Sequence, residues 1–176
     1  RSRIKATSYG LAYGLSAFGL SRQLDISQAE ATELRDAYFK RFGGIRDYLE
    51  SIVEQARHTG YTQTRFGRRR YLPELMSRSR PERQMAERAA LNAPIQGSAA
   101  DIIKIAMVGV DAALSEEQLK SRMLLQVHDE LIFEVAPGER DALERLVRDR
   151  MGHAVDLGVD LEVSVGYGAT WKEAAH

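Results

Sequence analysis

Two cations and two aromatic side chains recur every four residues at the start of the chain: Arg1, Lys5, Tyr9 and Tyr13. Because four residues advance a helix by about 400°, these side chains form a slowly drifting stripe along one helix face. Cations can neutralise phosphate oxygens, and an aromatic ring can stack on a base. The spacing indicates a nucleotide-binding face; an amphipathic helix with a basic end and two core tyrosines is the alternative.

Three polar side chains, His128, Asp129 and Glu130, separate two apolar, strand-like runs at 123–127 and 131–135. Because the flanking runs are apolar, the turn between them is expected to project these charges into solvent. Adjacent carboxylates can hold Mg²⁺, which prefers oxygen ligands. Phosphoryl transfer uses such an ion to activate the attacking oxygen and to relieve charge on the leaving group. The alternative is a polar hairpin tip without a metal.

A third set, Arg88, Asn92 and Gln96, also follows steps of four. These are side-chain types that reach base edges and sugars in nucleic acids. Pro94 weakens the prediction that all three share one regular helix. A polar helix face above a buried segment is the alternative.

The net charge of the chain is zero, but residues 57–88 carry nine arginines against three acids. Arg68, Arg69 and Arg70 are consecutive, and Arg65 lies nearby. A phosphate backbone is the natural partner of such a cluster, and contacts of that kind depend on salt. A solvated arginine-rich loop is the alternative.

The pattern of apolar residues and turn formers predicts the elements that carry these sets. Ser27 and Glu30 predict a capping box at a helix start. Pro81 favours the start of another helix, which Pro94 is expected to kink or end. Further helices are predicted over 1–13, 16–24, 97–114 and 139–151, and the helix over 97–114 is expected to be largely buried. Two more helices are predicted, one before and one after the glycines at 43–44. A glycine hairpin is predicted over 61–73, and strands are predicted over 123–127, 131–135 and 161–165.

The bulk composition is that of an ordinary globular protein, with 44% hydrophobic and 28% charged residues. The chain has no cysteine, which excludes disulfides and thiolate metal sites and suits a reducing cytoplasm. No apolar run is long enough to cross a bilayer, so we expect no membrane partner.

Together and in this order, the segments resemble signatures of family A (DNA polymerase I type) DNA-dependent DNA polymerases. RSRIKATSYGLAYG at 1–14 is similar to motif B on the fingers helix, and QVHDE at 126–130 is similar to motif C of the palm. GRRR at 67–70 and APIQGSAAD at 93–101 also resemble family segments. The resemblance extends over essentially the whole chain.

The resemblance implies a role for each residue of the motif B stripe. Arg1 and Lys5 would contact the triphosphate of the incoming dNTP, and Lys5 would also help to protonate the pyrophosphate leaving group. Tyr9 would lie against the sugar and base, and Tyr13 would guard the template-base position. Since the family has Phe or Tyr at the position of Tyr9, the tyrosine predicts weak discrimination against dideoxynucleotides.

The resemblance also implies roles at the second motif and along the DNA. Asp129 would be a metal ligand, Glu130 would support it in catalysis, and His128 would approach the primer terminus. Contacts with the minor-groove side of the primer–template duplex are implied for Arg88, Asn92, Gln96 and Gln126. Such contacts tolerate any sequence, as a polymerase requires.

We therefore expect an α+β chain, with helical fingers over 1–80 and the C-terminal part of a palm, with antiparallel strands and packed helices, over 81–176. The implied activity is DNA-directed DNA synthesis from dNTPs on a primer–template, in replication or repair. The full protein is expected to be a monomer acting in the cytoplasm at the nucleoid.

The implied mechanism uses two Mg²⁺ ions, one set of whose ligands lies outside this chain. The family's motif A, with its metal-binding aspartate, is not found in the sequence, so the chain alone is expected to be inactive. The first alternative is a catalytically inactive, sequence-tolerant DNA-binding module. A second is a helical interaction protein, for which the arginine cluster would have no nucleic-acid role.

Overall fold

The computed structural model describes residues 7–11 and 13–174, and every structural statement below refers to this part of the chain. Residues 7–11 are helical, and the elements after them alternate helices with two short hairpins. In chain order these are α1 (Ala17–Leu24), α2 (Gln28–Arg41), α3 (Gly43–Thr59), β1 (Tyr61–Gln63), β2 (Arg69–Tyr71), a 3₁₀ turn (Pro73–Met76), α4 (Arg80–Glu116), β3 (Arg122–Val127), β4 (Glu130–Glu134), α5 (Arg140–Gly152) and α6 (Trp171–Ala174). The two sheets are separate, two-stranded and antiparallel, so the predicted α+β class is confirmed.

The chain divides into two compact units, one ending at Ser98 and the other beginning at Ala99. The division into fingers and palm near residue 80 is a functional one and stays a prediction. Among the described helices, none combines the length and the apolar character that a membrane span requires.

Two helices of the first unit begin at serine caps, α1 at Ser16 and α2 at Ser27. Ser27 Oγ accepts a hydrogen bond from the Glu30 N–H at 3.2 Å, and Glu30 Oε2 accepts one from the Ser27 N–H at 2.9 Å. The predicted capping box is thus confirmed. The break between α2 and α3 falls at Phe42, directly before the paired glycines, which open the second helix. Leu11 of the helical residues 7–11, Leu20 of α1 and Ala31 of α2 form a small buried core.

The predicted hairpin over 61–73 is confirmed, with β1 and β2 paired in the register Thr62↔Arg70. Gly67 adopts φ of 84° in the connecting turn, a conformation that glycine adopts at little cost. Tyr61, Gln63, Arg69 and Tyr71 share one face of the ribbon because side chains alternate along a strand. We call residues 61–71 the arginine hairpin.

Helix α4 is one element of 37 residues that includes Pro94. Of the two outcomes expected at Pro94, a kink or an end of the helix, the end is excluded, because α4 continues through this residue. Proline removes one backbone hydrogen bond, and the loss is offset here by packing, because Ala86 and Ala90 are buried against α3 and the segment after β2. The expectation of a largely buried helix over 97–114 is also wrong. Val108 is 71% exposed, so only one face of this stretch is covered.

In the second unit, α4 and α5 pack together through Val110, Leu114, Leu143 and Leu146. The hairpin of β3 and β4 covers this core with Met123 and Phe133. Residues 161–165 do not form the strand that their alternation predicts. The alternation is real, since positions 161, 163 and 165 are half-buried and 162 and 164 are exposed. Within the described residues, however, no neighbouring strand pairs with them to form a sheet.

Candidate nucleotide and DNA site

The helical residues 7–11 end in a turn that fixes the positions of both tyrosines. The Gly14 N–H donates to the Leu11 carbonyl at 3.0 Å, and the Leu15 N–H donates to the Gly10 carbonyl at 2.8 Å. With Gly14 at φ 74°, this is the double hydrogen-bond pattern that ends helices at glycine. Tyr9 is 56% exposed.

Tyr13 lies at the end of the same turn and is half-buried. Its neighbour Gly14 packs closely on α4, since a Cβ at Gly14 would lie 2.6 Å from Leu91 Cδ1. The other two members of the predicted stripe, Arg1 and Lys5, lie outside the described residues. Of this candidate binding face, the structure therefore describes the two tyrosines.

The arginine hairpin is attached to α4 at its turn. The Arg68 guanidinium donates to the Gly97 carbonyl at 2.9 Å, and the Arg65 N–H donates to Ser98 Oγ at 2.9 Å. The contact is close, because a Cβ at Gly97 would lie 2.6 Å from Thr64 Cγ2. Arg68 thus positions the hairpin on the helix in addition to carrying charge.

Arg69 and Arg70 point to opposite faces of β2. The Arg69 guanidinium lies over the Tyr61 ring, 4.5 Å from its centroid, in a cation–π contact. Both arginines are exposed. Two charges are therefore presented to solvent, one on each face of the ribbon.

The polar set on α4 lies on one continuous helix despite Pro94. Arg88 and Gln96 are exposed. Asn92 differs, because its Oδ1 is buried and accepts no hydrogen bond within the described part of the chain. A buried amide oxygen without a hydrogen-bond partner is energetically unfavourable.

His128 and Asp129 form the two-residue turn between β3 and β4, whose terminal residues Val127 and Glu130 are paired. His128 has φ of 55°, and its carbonyl accepts a hydrogen bond from Gln126 Nε2 at 2.6 Å. We call His128, Asp129 and Glu130 the acidic turn. All three side chains are exposed, as the apolar flanks predict.

The donor set of the acidic turn is compatible with a divalent cation. The turn presents two exposed neighbouring carboxylates, on Asp129 and Glu130, and Mg²⁺ prefers carboxylate and water oxygens. Within the described ranges no group of three or more His, Asp or Glu side chains could hold a metal ion.

One contact of the acidic turn has no local signal in the sequence. The Trp171 Nε1–H donates to Glu130 Oε2 at 3.3 Å, across 41 residues of chain. Asp129, Glu130 and Trp171 line a cavity of about 840 Å³, walled also by α5 and the segment before α6. Trp171 was not among the predicted site residues, because neither its spacing nor its neighbours indicate this contact.

Two carboxylates beside this region have shifted pKa values. Hydrogen bonds from Arg148 and then from Tyr167 lower the pKa of Glu144 from its ordinary value of 4.5. Burial, and then the hydrogen bond to Glu144, raises the pKa of the Tyr167 hydroxyl. The Glu139 pKa is lowered by the Lys120 N–H and the Ser121 hydroxyl. These hydrogen bonds favour the charged form of both carboxylates.

The structure thus groups the predicted residues within each unit. The first unit carries Tyr9, Tyr13, the arginine hairpin and the polar set on α4. The second unit carries Gln126 and the acidic turn.

Comparison with known proteins identifies the family. The model of DNA polymerase family A matches residues 1–173. The chain is 70% identical to DNA polymerase I of Mycobacterium bovis over 176 residues, which are 100% of this chain and 20% of that protein. It is 50% identical to DNA polymerase I of Bacillus caldotenax over 174 residues, 99% of this chain and 20% of that protein.

A solved structure agrees with these relatives. The POL domain of Pol1 from M. smegmatis, in complex with DNA primer-template and dNTP, superimposes with a TM-score of 0.95 at 64% identity. The match covers 99% of this chain and 31% of that one. The chain belongs to DNA polymerase family A, and the predicted resemblance is confirmed. It spans about a fifth of the length of the curated relatives that it matches.

Proposed function

We propose that this chain is part of a DNA-directed DNA polymerase that adds deoxynucleotides from dNTPs to a primer 3′ end. One observation carries the proposal: a member of DNA polymerase family A presents the exposed carboxylates of Asp129 and Glu130 where β3 turns into β4. The related Pol1 domain was solved with primer-template DNA and dNTP, which supports the same two partners here.

In the proposed reaction the primer 3′ hydroxyl gives up its proton to solvent water, and its oxygen attacks the α-phosphorus of the dNTP. A phosphodiester bond forms, the bond between the α-phosphorus and the bridging oxygen breaks, and pyrophosphate leaves. Arg1 and Lys5 would bind the triphosphate, and Lys5 would donate a proton to the leaving group. Tyr9 would contact the sugar and base, and Tyr13 would control the template-base position. Closure over the correct nucleotide would supply selectivity.

Asp129 is the proposed magnesium ligand of this chain, with Glu130 in support. Mg²⁺ bound there would activate the attacking hydroxyl and stabilise charge on the leaving pyrophosphate. A two-metal mechanism needs carboxylates beyond those described here. We therefore propose that the isolated chain does not polymerise and that the full-length polymerase does.

The remaining residues would hold the primer–template duplex. The arginine hairpin would bind backbone phosphates, and His128 would approach the primer terminus. The proposed contacts on the minor-groove side are Arg88, Asn92, Gln96 and Gln126. The fingers would extend over 1–80 and the palm over 81–176. The polymerase is proposed to act as a monomer in the cytoplasm at the nucleoid.

The test is primer extension by the full-length polymerase with Mg²⁺ and a matched template, comparing the wild type with Asp129→Ala. Extension should collapse in this variant while primer–template affinity is kept. Asp160→Ala is the matched control, because Asp160 is an exposed aspartate of the same unit, and it should extend normally.

Other outcomes of this experiment decide between the alternatives. Duplex binding without extension by either protein would favour the inactive DNA-binding module. Extension by both would show that Asp129 is not the essential ligand. Loss of duplex binding on neutralising Arg68, Arg69 and Arg70 would exclude the interaction protein without a nucleic-acid role.

A further inference from the structure

The last helix of the described chain contacts the acidic turn through a single directional bond. The indole N–H of Trp171 donates to Glu130 Oε2 at 3.3 Å. Trp171 is 50% exposed, so burial of its ring explains its position only in part. A half-exposed ring with its N–H directed at a carboxylate favours a role for the hydrogen bond itself.

The backbone before α6 is folded so that it fixes the direction of Trp171. The Glu173 N–H donates to the Thr170 carbonyl at 3.1 Å, and Glu173 Oε2 accepts from the Ala169 N–H at 2.8 Å. A Cβ at Gly168 would lie 2.4 Å from Glu173 Cβ and 2.8 Å from the Ala174 nitrogen. The chain can therefore turn back this tightly only at a glycine.

A second anchor holds the same segment to α5. The Tyr167 hydroxyl donates to Glu144 Oε2 at 3.1 Å, and the Arg140 guanidinium lies 3.9 Å from the centroid of the Tyr167 ring. This anchor belongs to a helix that is packed into the unit, since α5 contributes Leu143 and Leu146 to the core. Trp171 is thus presented to Glu130 by a segment that is held independently of the acidic turn.

We propose that Trp171 is a positioning residue for the acidic turn, acting through Glu130; this rests on the proposed polymerase function. Its N–H occupies one carboxylate oxygen of Glu130 and restricts the rotation of that side chain. Oε1 of Glu130 then keeps a fixed direction beside Asp129. Partners that orient the carboxylates of a reactive centre typically contribute roughly 10- to 100-fold to activity.

The first test examines the contact without catalysis. The full-length polymerase is labelled with nitrogen-15 tryptophan, and the Trp171 indole signal is assigned as the one missing in Trp171→Phe. Glu130→Ala should shift this signal upfield, because the hydrogen bond is lost, whereas Lys172→Ala, a neighbouring exposed side chain, should leave it in place. An indole signal that does not move in Glu130→Ala would overturn the proposal.

The second test separates positioning from general stability. In single-turnover primer extension, Trp171→Phe should lower the rate about tenfold with unchanged primer–template affinity. In a Glu130→Ala background the same change should cost nothing further, because its partner is absent. An equal loss in both backgrounds, or no loss in either, would contradict the role. A wild type that never extends primers would instead refute the proposed function, and the indole test would still judge the contact.

Discussion

Glu139 accepts hydrogen bonds from both the backbone N–H and the hydroxyl of Ser121, at 2.8 and 2.7 Å. The Lys120 N–H donates to the same carboxylate at 2.9 Å. Ser121 Oγ in turn accepts from the Ala136 N–H at 2.9 Å. Glu139 therefore joins the start of β3 to the segment that follows β4, and so supports both ends of the hairpin that carries the acidic turn.

This arrangement predicts a dependence on pH. The Lys120 N–H first, and then the Ser121 hydroxyl, lower the pKa of Glu139 from its ordinary value of 4.5. A carboxyl whose pKa is lower in the folded state stabilises the fold above its unfolded-state pKa. That contribution is lost as the pH falls through the folded-state pKa.

Hydrogen exchange at the Lys120 and Ser121 amides measures the effect. Protection should be high at neutral pH in the wild type and should fall in acid below 4.5. Glu139→Gln should lower the protection at neutral pH and remove most of its acid dependence. Glu117→Gln, at an exposed glutamate nearby, is the control and should behave as the wild type. Equal protection in Glu139→Gln and the wild type would show that the carboxylate contributes little.

Two glycines of α4 should respond in opposite ways to alanine. A Cβ at Gly97 would lie 2.6 Å from Thr64 Cγ2, so Gly97→Ala should loosen the arginine hairpin by about 1–3 kcal/mol. At Gly109 a Cβ meets nothing within 4 Å, and alanine there should stabilise the helix by about 0.5–1 kcal/mol. Hydrogen exchange at the amides of 61–71 and along α4 measures both. A hairpin that is equally protected in Gly97→Ala would mean that Thr64 can move aside.

Two arginines of the hairpin should have different roles: Arg70 binds phosphate, and Arg68 also holds the hairpin on the helix. Arg70→Gln should weaken duplex binding and reduce the slope of log affinity against log salt by about one, because one phosphate contact is lost. Arg68→Gln should also lower the protection of the hairpin amides, because Arg68 donates to the Gly97 carbonyl at 2.9 Å. Arg46→Gln is the control, because Arg46 pairs with Asp47 on α3, and it should leave both the salt slope and the hairpin amides unchanged. An unchanged salt slope in Arg70→Gln would exclude a phosphate contact there.

Tyr9→Phe should strengthen discrimination against dideoxynucleotides at least severalfold, because the expected tolerance depends on the tyrosine hydroxyl. The measurement is the ratio of dideoxy to deoxy incorporation by the full-length polymerase. Tyr48→Phe is a matched control, since Tyr48 is 54% exposed and Tyr9 is 56% exposed. If the two variants gave the same ratio, the hydroxyl of Tyr9 would have no part in this choice.

The sequence predicted the features that depend on neighbouring residues. Ser27 and Glu30 are three positions apart, and the capping box they form needs nothing else from the fold. The glycine turn at Gly67 and the two-residue turn at His128 and Asp129 are likewise set by residues inside each hairpin. The acidic turn could therefore be located, and its exposure anticipated, without a structure.

What the sequence could not predict depends on distant partners. The alternation at 161–165 identifies a half-buried face, but pairing into a sheet requires another strand, and the described part of the chain places none beside it. Pro94 breaks helices in isolation, whereas α4 is held by its buried alanines. The contacts of Trp171 with Glu130 and of Thr64 with Gly97 join residues 41 and 33 positions apart in the sequence, and no local pattern reports them.

Trp171 has one more consequence, which is optical. It is the single tryptophan of this chain, and its indole N–H bonds directly to the acidic turn. Tryptophan emission from this chain therefore originates beside Asp129 and Glu130, with half of the ring open to water. Any event that displaces the Glu130 carboxylate should change the intensity or the wavelength of that emission. The chain carries an intrinsic fluorescent reporter at the place where its chemistry is proposed to occur.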